Sequence, residues 1–242
     1  MKINFEKIKE LSFNTNEAYK TLRTNIMFCG DDIKTITITS SAPNEGKSEV
    51  AFFLSKAFSE GGYKTLFIDA DIRKSVTVSR YSVDKETVGL THYLTGKKKL
   101  EEVIYETSID NLDIIFTGQV SPNPSELLGN SKFTTLISEA REKYDYVIID
   151  CPPLGSVIDA AVVAKVSDGT AIVIAADGVS YKMAQNTKKQ LEQGGVRILG
   201  VILNKVEKGG KGYGKGYGYG YGYGYGYGYG YGYGEEDKKE GK

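Results

Sequence analysis

Runs of strand length alternate along this chain with segments of helical spacing. Residues 34–39, Lys-Thr-Ile-Thr-Ile-Thr, alternate polar and apolar, and residues 64–68, Lys-Thr-Leu-Phe-Ile, read as a short buried strand. Residues 111–116, 146–150, 169–174 and 197–203 supply four further strands of the same apolar character. Between them, helices are predicted over 17–28, 49–60, 87–94, 131–143, 159–166 and 180–193, the last ended by Gly194-Gly195. Asn14-Thr15-Asn16 supplies cap chemistry for the first helix, and Ala18, Leu22 and Ile26 give it an apolar face. Residues 1–11 carry mixed charge and read as a loosely held arm, and residues 95–106 as charged surface. Strands and helices take turns, and near-continuous apolar strands are the mark of a parallel sheet covered on both faces. The expected fold is a single doubly wound α/β domain over residues 1–206.

Composition narrows the class of protein. The chain has 242 residues, 31 basic and 31 acidic, so bulk charge recruits neither nucleic acid nor an anionic membrane. Its two cysteines, Cys29 and Cys151, form no disulfide framework or zinc spacing and fit a reducing cytosol. The N-terminus does not read as a signal peptide, and no apolar stretch approaches a membrane span. Membrane association is expected only through a partner.

The chemistry gathers at the strand ends. After the 34–39 strand comes Ser40-Ser41-Ala42-Pro43-Asn44-Glu45-Gly46-Lys47-Ser48, and a helix follows. In a strand–loop–helix of this kind the loop N–H groups and the helix N-terminus cradle phosphate oxygens, Lys47 adds a full charge, and the Ser48 hydroxyl suits Mg²⁺. The phosphate-loop pattern G-x-x-x-x-G-K-[ST] is one residue short, because Ser41 stands at its first glycine. The 64–68 strand closes on Asp69-Ala70-Asp71-Ile72-Arg73, placing two carboxylates at the sheet end where ligands bind. The 146–150 strand closes on Asp150, an apolar run ending in a carboxylate suited to holding Mg²⁺. Three features stay open. Glu17, Lys20 and Arg23 form a charged stripe or a solvated face. The turn 117–128, with Pro122 and Pro124, lines the site or merely stiffens a connection. Asn204-Lys205 reads a base or ends a strand. His92, the lone histidine, is assigned no role.

The tail is different material. Beyond Lys208 the chain is almost wholly Gly, Tyr and Lys up to Gly234, with ten tyrosines: Tyr213, Tyr217, Tyr219, Tyr221, Tyr223, Tyr225, Tyr227, Tyr229, Tyr231 and Tyr233. Alternate glycines and no aliphatic residue leave nothing to build a core, so residues 207–242 are expected to be disordered. A flexible coil of about 28 residues reaches roughly 30 Å. Its phenols are phosphate acceptors, or rings that make the tail self-associate.

Taken together these segments resemble the bacterial tyrosine kinases of capsule and exopolysaccharide export, in the stand-alone cytoplasmic form. The resemblance is carried by residues 17–26, by the loop 39–48 (Walker A), by Phe67-Ile68-Asp69-Ala70-Asp71-Ile72-Arg73 (Walker A′), by Pro122-Asn123-Pro124-Ser125-Glu126-Leu127-Leu128, by Ile148-Ile149-Asp150-Cys151-Pro152-Pro153 (Walker B) and by the tyrosine-rich end. It implies an ATP- and Mg²⁺-dependent protein-tyrosine kinase that phosphorylates its own tail in trans. Nucleotide would lie on Ser41, Ala42, Pro43, Asn44, Glu45, Gly46, Lys47 and Ser48. The metal would sit on Ser48, Asp71 and Asp150. Asp69 would take the tyrosine proton, with Lys47 and Asp71 completing the catalytic set. It further implies a ring held through Glu17, Lys20 and Arg23, a membrane-bound chain-length regulator as activator at the inner face of the plasma membrane, and a resetting tyrosine phosphatase.

The chain departs from the family in places. Lys20 replaces the first arginine of Glu-x-x-Arg-x-x-Arg, keeping the charge without the bidentate fork, so a weaker ring is expected. Cys151 stands where threonine is common, and the strict Gly-Tyr alternation leaves the modified tyrosines undefined. The related partitioning and division-positioning ATPases are the alternative. They carry a signature lysine at the second loop position, where this chain has Ala42.

Overall fold

The computed structural model describes residues 2–5, 8–74, 77 and 88–206. The Gly-Tyr tail, and with it every candidate acceptor tyrosine, lies outside the described residues. The strands are β1 (Lys2–Ile3), β2 (Thr35–Ser40), β3 (Thr65–Asp69), β4 (Tyr105–Thr107), β5 (Leu112–Ile115), β6 (Tyr146–Asp150), β7 (Gly169–Ala175) and β8 (Ile198–Asn204). The helices are α1 (Phe13–Met27), α2 (Lys47–Glu60), α3 (Leu90–Leu94), α4 (Pro124–Leu128), α5 (Ser131–Lys143), α6 (Asp159–Ala164) and α7 (Tyr181–Gln193), with a 3-10 turn at Leu100–Glu102.

The strands form one eight-stranded sheet in the order β1-β4-β5-β3-β6-β2-β7-β8. Every pairing is parallel except β4 with β5. Period-two alternation sends successive side chains to opposite faces. In β3, Leu66 and Ile68 join the core beneath α5 and α6, and Phe67 joins the core beneath α1 and α2. In β6, Val147 and Ile149 go one way and Ile148 the other. Both faces are covered over the central strands β2, β3 and β6, but β8, expected to be of the same buried kind, lies at the sheet edge and leaves Val201 and Leu203 about 60% exposed.

The differences from the sequence reading fall at the periphery. The N-terminal arm is anchored: β1 pairs with β4, Ile3 is buried, and Phe5 packs edge-on against Phe52 at 5.5 Å. The charged stretch before residue 106 hides a strand, β4, with Tyr105 buried in it. Helix α1 starts earlier than its Asn-Thr-Asn run suggests, because Ser12 is the cap and accepts from the Thr15 N–H. Ile26 is buried and Leu22 half-buried on this helix, but Ala18 is exposed. No described helix is long and apolar enough to cross a membrane.

Candidate active site

The sheet sets the spacing of the acidic groups. β3 and β6 are parallel neighbours, and Asp69 is the register partner of Asp150. β6 lies against β2, whose carboxyl end opens into the 40–48 loop. The chain passes from β2 to β3 on one side of this pair and from β6 to β7 on the other, so the crevice forms at the switch between the two directions.

The loop closes onto α2 through Gly46, whose φ of +90° lies in the left-handed region. A Cβ there would also collide with the Asn204 side chain. Lys47 follows as the first helical residue, and its Nζ meets three oxygens: Asp71 Oδ2 at 3.0 Å, Ser48 Oγ at 3.1 Å and Asp150 Oδ1 at 3.4 Å. Burial disfavours the lysine's charge, but Asp150 and Asp71 outweigh it and hold its pKa up at about 12. Asp150 is 1% exposed, and burial pushes its carboxyl above the usual range against the pull of Lys47 and a hydrogen bond from Ser48. Asp69 is fully buried, and its Oδ1 accepts the Asp71 N–H at 3.2 Å.

A cleft of about 440 Å³ opens above this cluster, lined among others by Pro43, Asn44, Gly46, Lys47, Ser48 and Asp71. Of the other loop residues, Ser41 and Glu45 are buried, and Ser41, Ala42 and Glu45, each expected to contact nucleotide, do not line it; the buried Asp69 and Asp150 do not line it either. No described cluster of three or more His, Cys, Asp or Glu residues forms a self-contained metal cage. The Ser48 hydroxyl and the Asp71 and Asp150 carboxylates are hard oxygen donors beside a phosphate-binding loop, which fits a divalent cation completed by phosphate oxygens and water.

Several residues named in the sequence only within larger segments turn out to shape the site through bonds that no local pattern assigns. Arg73 holds Asp159 with Nε on Oδ2 at 2.6 Å and Nη2 on Oδ1 at 3.0 Å, and Ser125 donates to the same carboxylate. The proline-flanked turn is therefore tied to the Asp71–Arg73 segment. Lys205 donates to the Asn44 carbonyl at 2.6 Å and Asn204 to the Glu45 carbonyl at 2.9 Å, so this pair meets the loop's backbone. Glu45, expected on the nucleotide, instead turns its carboxylate away from the cleft, accepting the Ala42 and Ala175 N–H groups. His92 accepts the Gly89 N–H at the start of α3, a structural place for the lone histidine. On α1, Lys20 pairs with Glu17 at 2.7 Å, and Arg23 donates to the Ala57 carbonyl of α2 at 2.6 Å.

Residues 33–193 match the family model described as an AAA domain. The chain is 40% identical over 194 residues to the tyrosine-protein kinase CpsD of Streptococcus agalactiae, covering 80% of this chain and 85% of that protein. It is 38% identical over 191 residues to the tyrosine-protein kinase YwqD of Bacillus subtilis, covering 78% and 80%. The solved kinase domain of the Escherichia coli tyrosine kinase ETK superposes with a TM-score of 0.78 at 34% identity, covering 88% of this chain and 87% of that one. Fold and site thus define a P-loop protein that binds nucleotide with a metal. Within that class the chain belongs to the bacterial protein-tyrosine kinases.

Proposed function

We propose that residues 1–206 form the kinase domain, which transfers the γ-phosphoryl group of ATP, with Mg²⁺, to tyrosines in the 207–242 tail of a neighbouring copy. The observation that carries this reading is the meeting of Lys47 with Ser48, Asp71 and Asp150 at the base of the cleft. Ten tyrosines on the same chain supply the acceptors.

Backbone N–H groups of the loop and the N-terminus of α2 would hold the phosphates. Lys47 would exchange its carboxylate partners for phosphate oxygens. Ser48, Asp71 and Asp150 would hold Mg²⁺, which would supply positive charge against the transferring group. Asp69 is the group proposed to take the phenolic proton, since a free tyrosine, with a pKa of about 10, does not shed it unaided. Positioning and electrostatic stabilisation supply most of the remaining acceleration.

In the wider cycle, unmodified copies gather in a ring through Glu17, Lys20 and Arg23. Each phosphate adds about 1.5–2 negative charges, and the crowded tails repel one another. A phosphatase resets them. A membrane-bound chain-length regulator activates the cytoplasmic kinase at the inner face of the plasma membrane, and capsular or exopolysaccharide synthesis and export are the process controlled. Ala42, where the positioning ATPases carry their signature lysine, weighs against that alternative.

The test is anti-phosphotyrosine detection on the purified chain with ATP and Mg²⁺, with and without the cytosolic segment of a membrane partner. Changing all ten tail tyrosines to Phe should remove most of the signal. ATP hydrolysis with no phosphotyrosine under either condition would return the positioning-ATPase reading.

A further inference from the structure

Glu45 is 2% exposed, although it lies in the loop that joins β2 to α2. Its two carboxylate oxygens go to different parts of the fold. Oε2 accepts the Ala42 N–H from within the loop at 2.7 Å, and Oε1 accepts the Ala175 N–H at the end of β7 at 3.1 Å. The same loop is held from β8, where Asn204 donates to the Glu45 carbonyl and Lys205 to the Asn44 carbonyl. These strand ends are themselves joined, the Ala176 N–H donating to the Asn204 carbonyl at 2.8 Å.

From this geometry we infer that Glu45 is a positioning residue for nucleotide: its carboxylate ties the phosphate loop to the carboxyl end of β7, beside the backbone bonds from β8, and fixes the loop's shape before phosphate arrives. A carboxylate pointing into the cleft would repel a di- or triphosphate. Turned inward, the same charge makes two charge-assisted hydrogen bonds, the stronger kind. It also takes the Ala42 N–H away from the cleft, leaving the turn from Asn44 to Ser48 as the face presented to phosphate. A loop already ordered gives up less freedom on binding, and that saving appears as affinity. The inference rests on the loop being the phosphate site and adds to that reading the device that shapes it.

The experiment is calorimetric titration of ADP with Mg²⁺ into the full-length chain, beside a thermal melt of each variant. Glu45→Ala leaves two N–H groups without their acceptor and should weaken ADP about tenfold or more. Glu45→Gln keeps the shape but has one acceptor oxygen, so it should fall between Glu45→Ala and the parent. It also carries the test if Glu45→Ala fails to fold. Phe133→Leu, on the buried face of α5 and outside the loop and its bonding partners, is the control for stability alone. It should lower the melting temperature and leave ADP affinity within about twofold. Unchanged ADP affinity in the Glu45 variants overturns the inference, and so does a loss that simply tracks melting temperature across Glu45→Gln and Phe133→Leu. Lys47→Met separates the two readings: if it too leaves ADP binding intact, the loop is not the phosphate site, and the reading beneath the inference fails with it.

Discussion

Arg73 grips Asp159 with two nitrogens, and the carboxylate it holds has no exposure to solvent. Burial works to raise the Asp159 carboxyl, but hydrogen bonds from Arg73 and Ser125 outweigh it and leave it below the usual range. Arg73→Ala strands a buried charge. It should cost about 1–3 kcal/mol, less than a fully buried pair because the guanidinium keeps part of its hydration. A depressed pKa gives stability that is complete above the ordinary carboxylate value of about 3.9 and is lost as pH falls through the folded value. Urea unfolding of both proteins should therefore show a constant gap between pH 6 and 8 that closes below about pH 4.

Lys47→Met should abolish phosphotyrosine, which an immunoblot after incubation with ATP and Mg²⁺ reads directly. The same variant has a pH signature. Without the ammonium, burial pushes Asp150 further up, so the folded state binds a proton that the unfolded state has released. Stability then falls as pH rises between the two values. Relative to the parent, the variant should be more stable at pH 5 than at pH 8; the reverse order would mean that Lys47 does not hold Asp150 ionised.

Asp69→Asn tests the division of labour between neighbouring carboxylates. The amide can still accept the Asp71 N–H but is a far weaker base. Phosphotransfer in single-turnover experiments should drop at least tenfold, and nucleotide affinity should change much less. Equal losses would make Asp69 a binding or framework residue.

On α1 the stripe Glu17, Lys20, Arg23 divides in two. Arg23 reaches the Ala57 carbonyl near the end of α2, so Arg23→Ala should lower stability by about 1 kcal/mol even in the monomer. The exposed Glu17–Lys20 pair is worth a few tenths at most. Glu17→Ala should leave the melting curve in place, so any shift it causes in sedimentation reports an interface between copies.

Elements set by uninterrupted apolar periodicity were legible in the sequence. Helix α5 and strand β6 appear with the predicted bounds, because one has a sustained amphipathic stripe and the other is buried on both faces. Strands β1 and β4, two and three residues long, are too short for any period to register, and β4 sits among charges. Lys47, Asp71 and Asp150 could be grouped from sequence because each sits at or within two residues of a strand or helix terminus, where the fold class brings them together. The Arg73–Asp159 bond joins residues 86 apart across a loop and a helix start, and no local pattern encodes it. Cys151 is fully buried and its thiol is pushed well above the usual range by burial, so the departure from threonine leaves no reactive group at the site.

Asp69 and Asp150 face one another across hydrogen-bonded strands, so their separation is built into the ladder and owes nothing to loop length. Grafting rims, lids or acceptor segments from one relative to another should therefore transplant specificity and leave the acidic floor undisturbed. The site can be re-addressed by changing what surrounds it, provided the β3–β6 pairing is left alone.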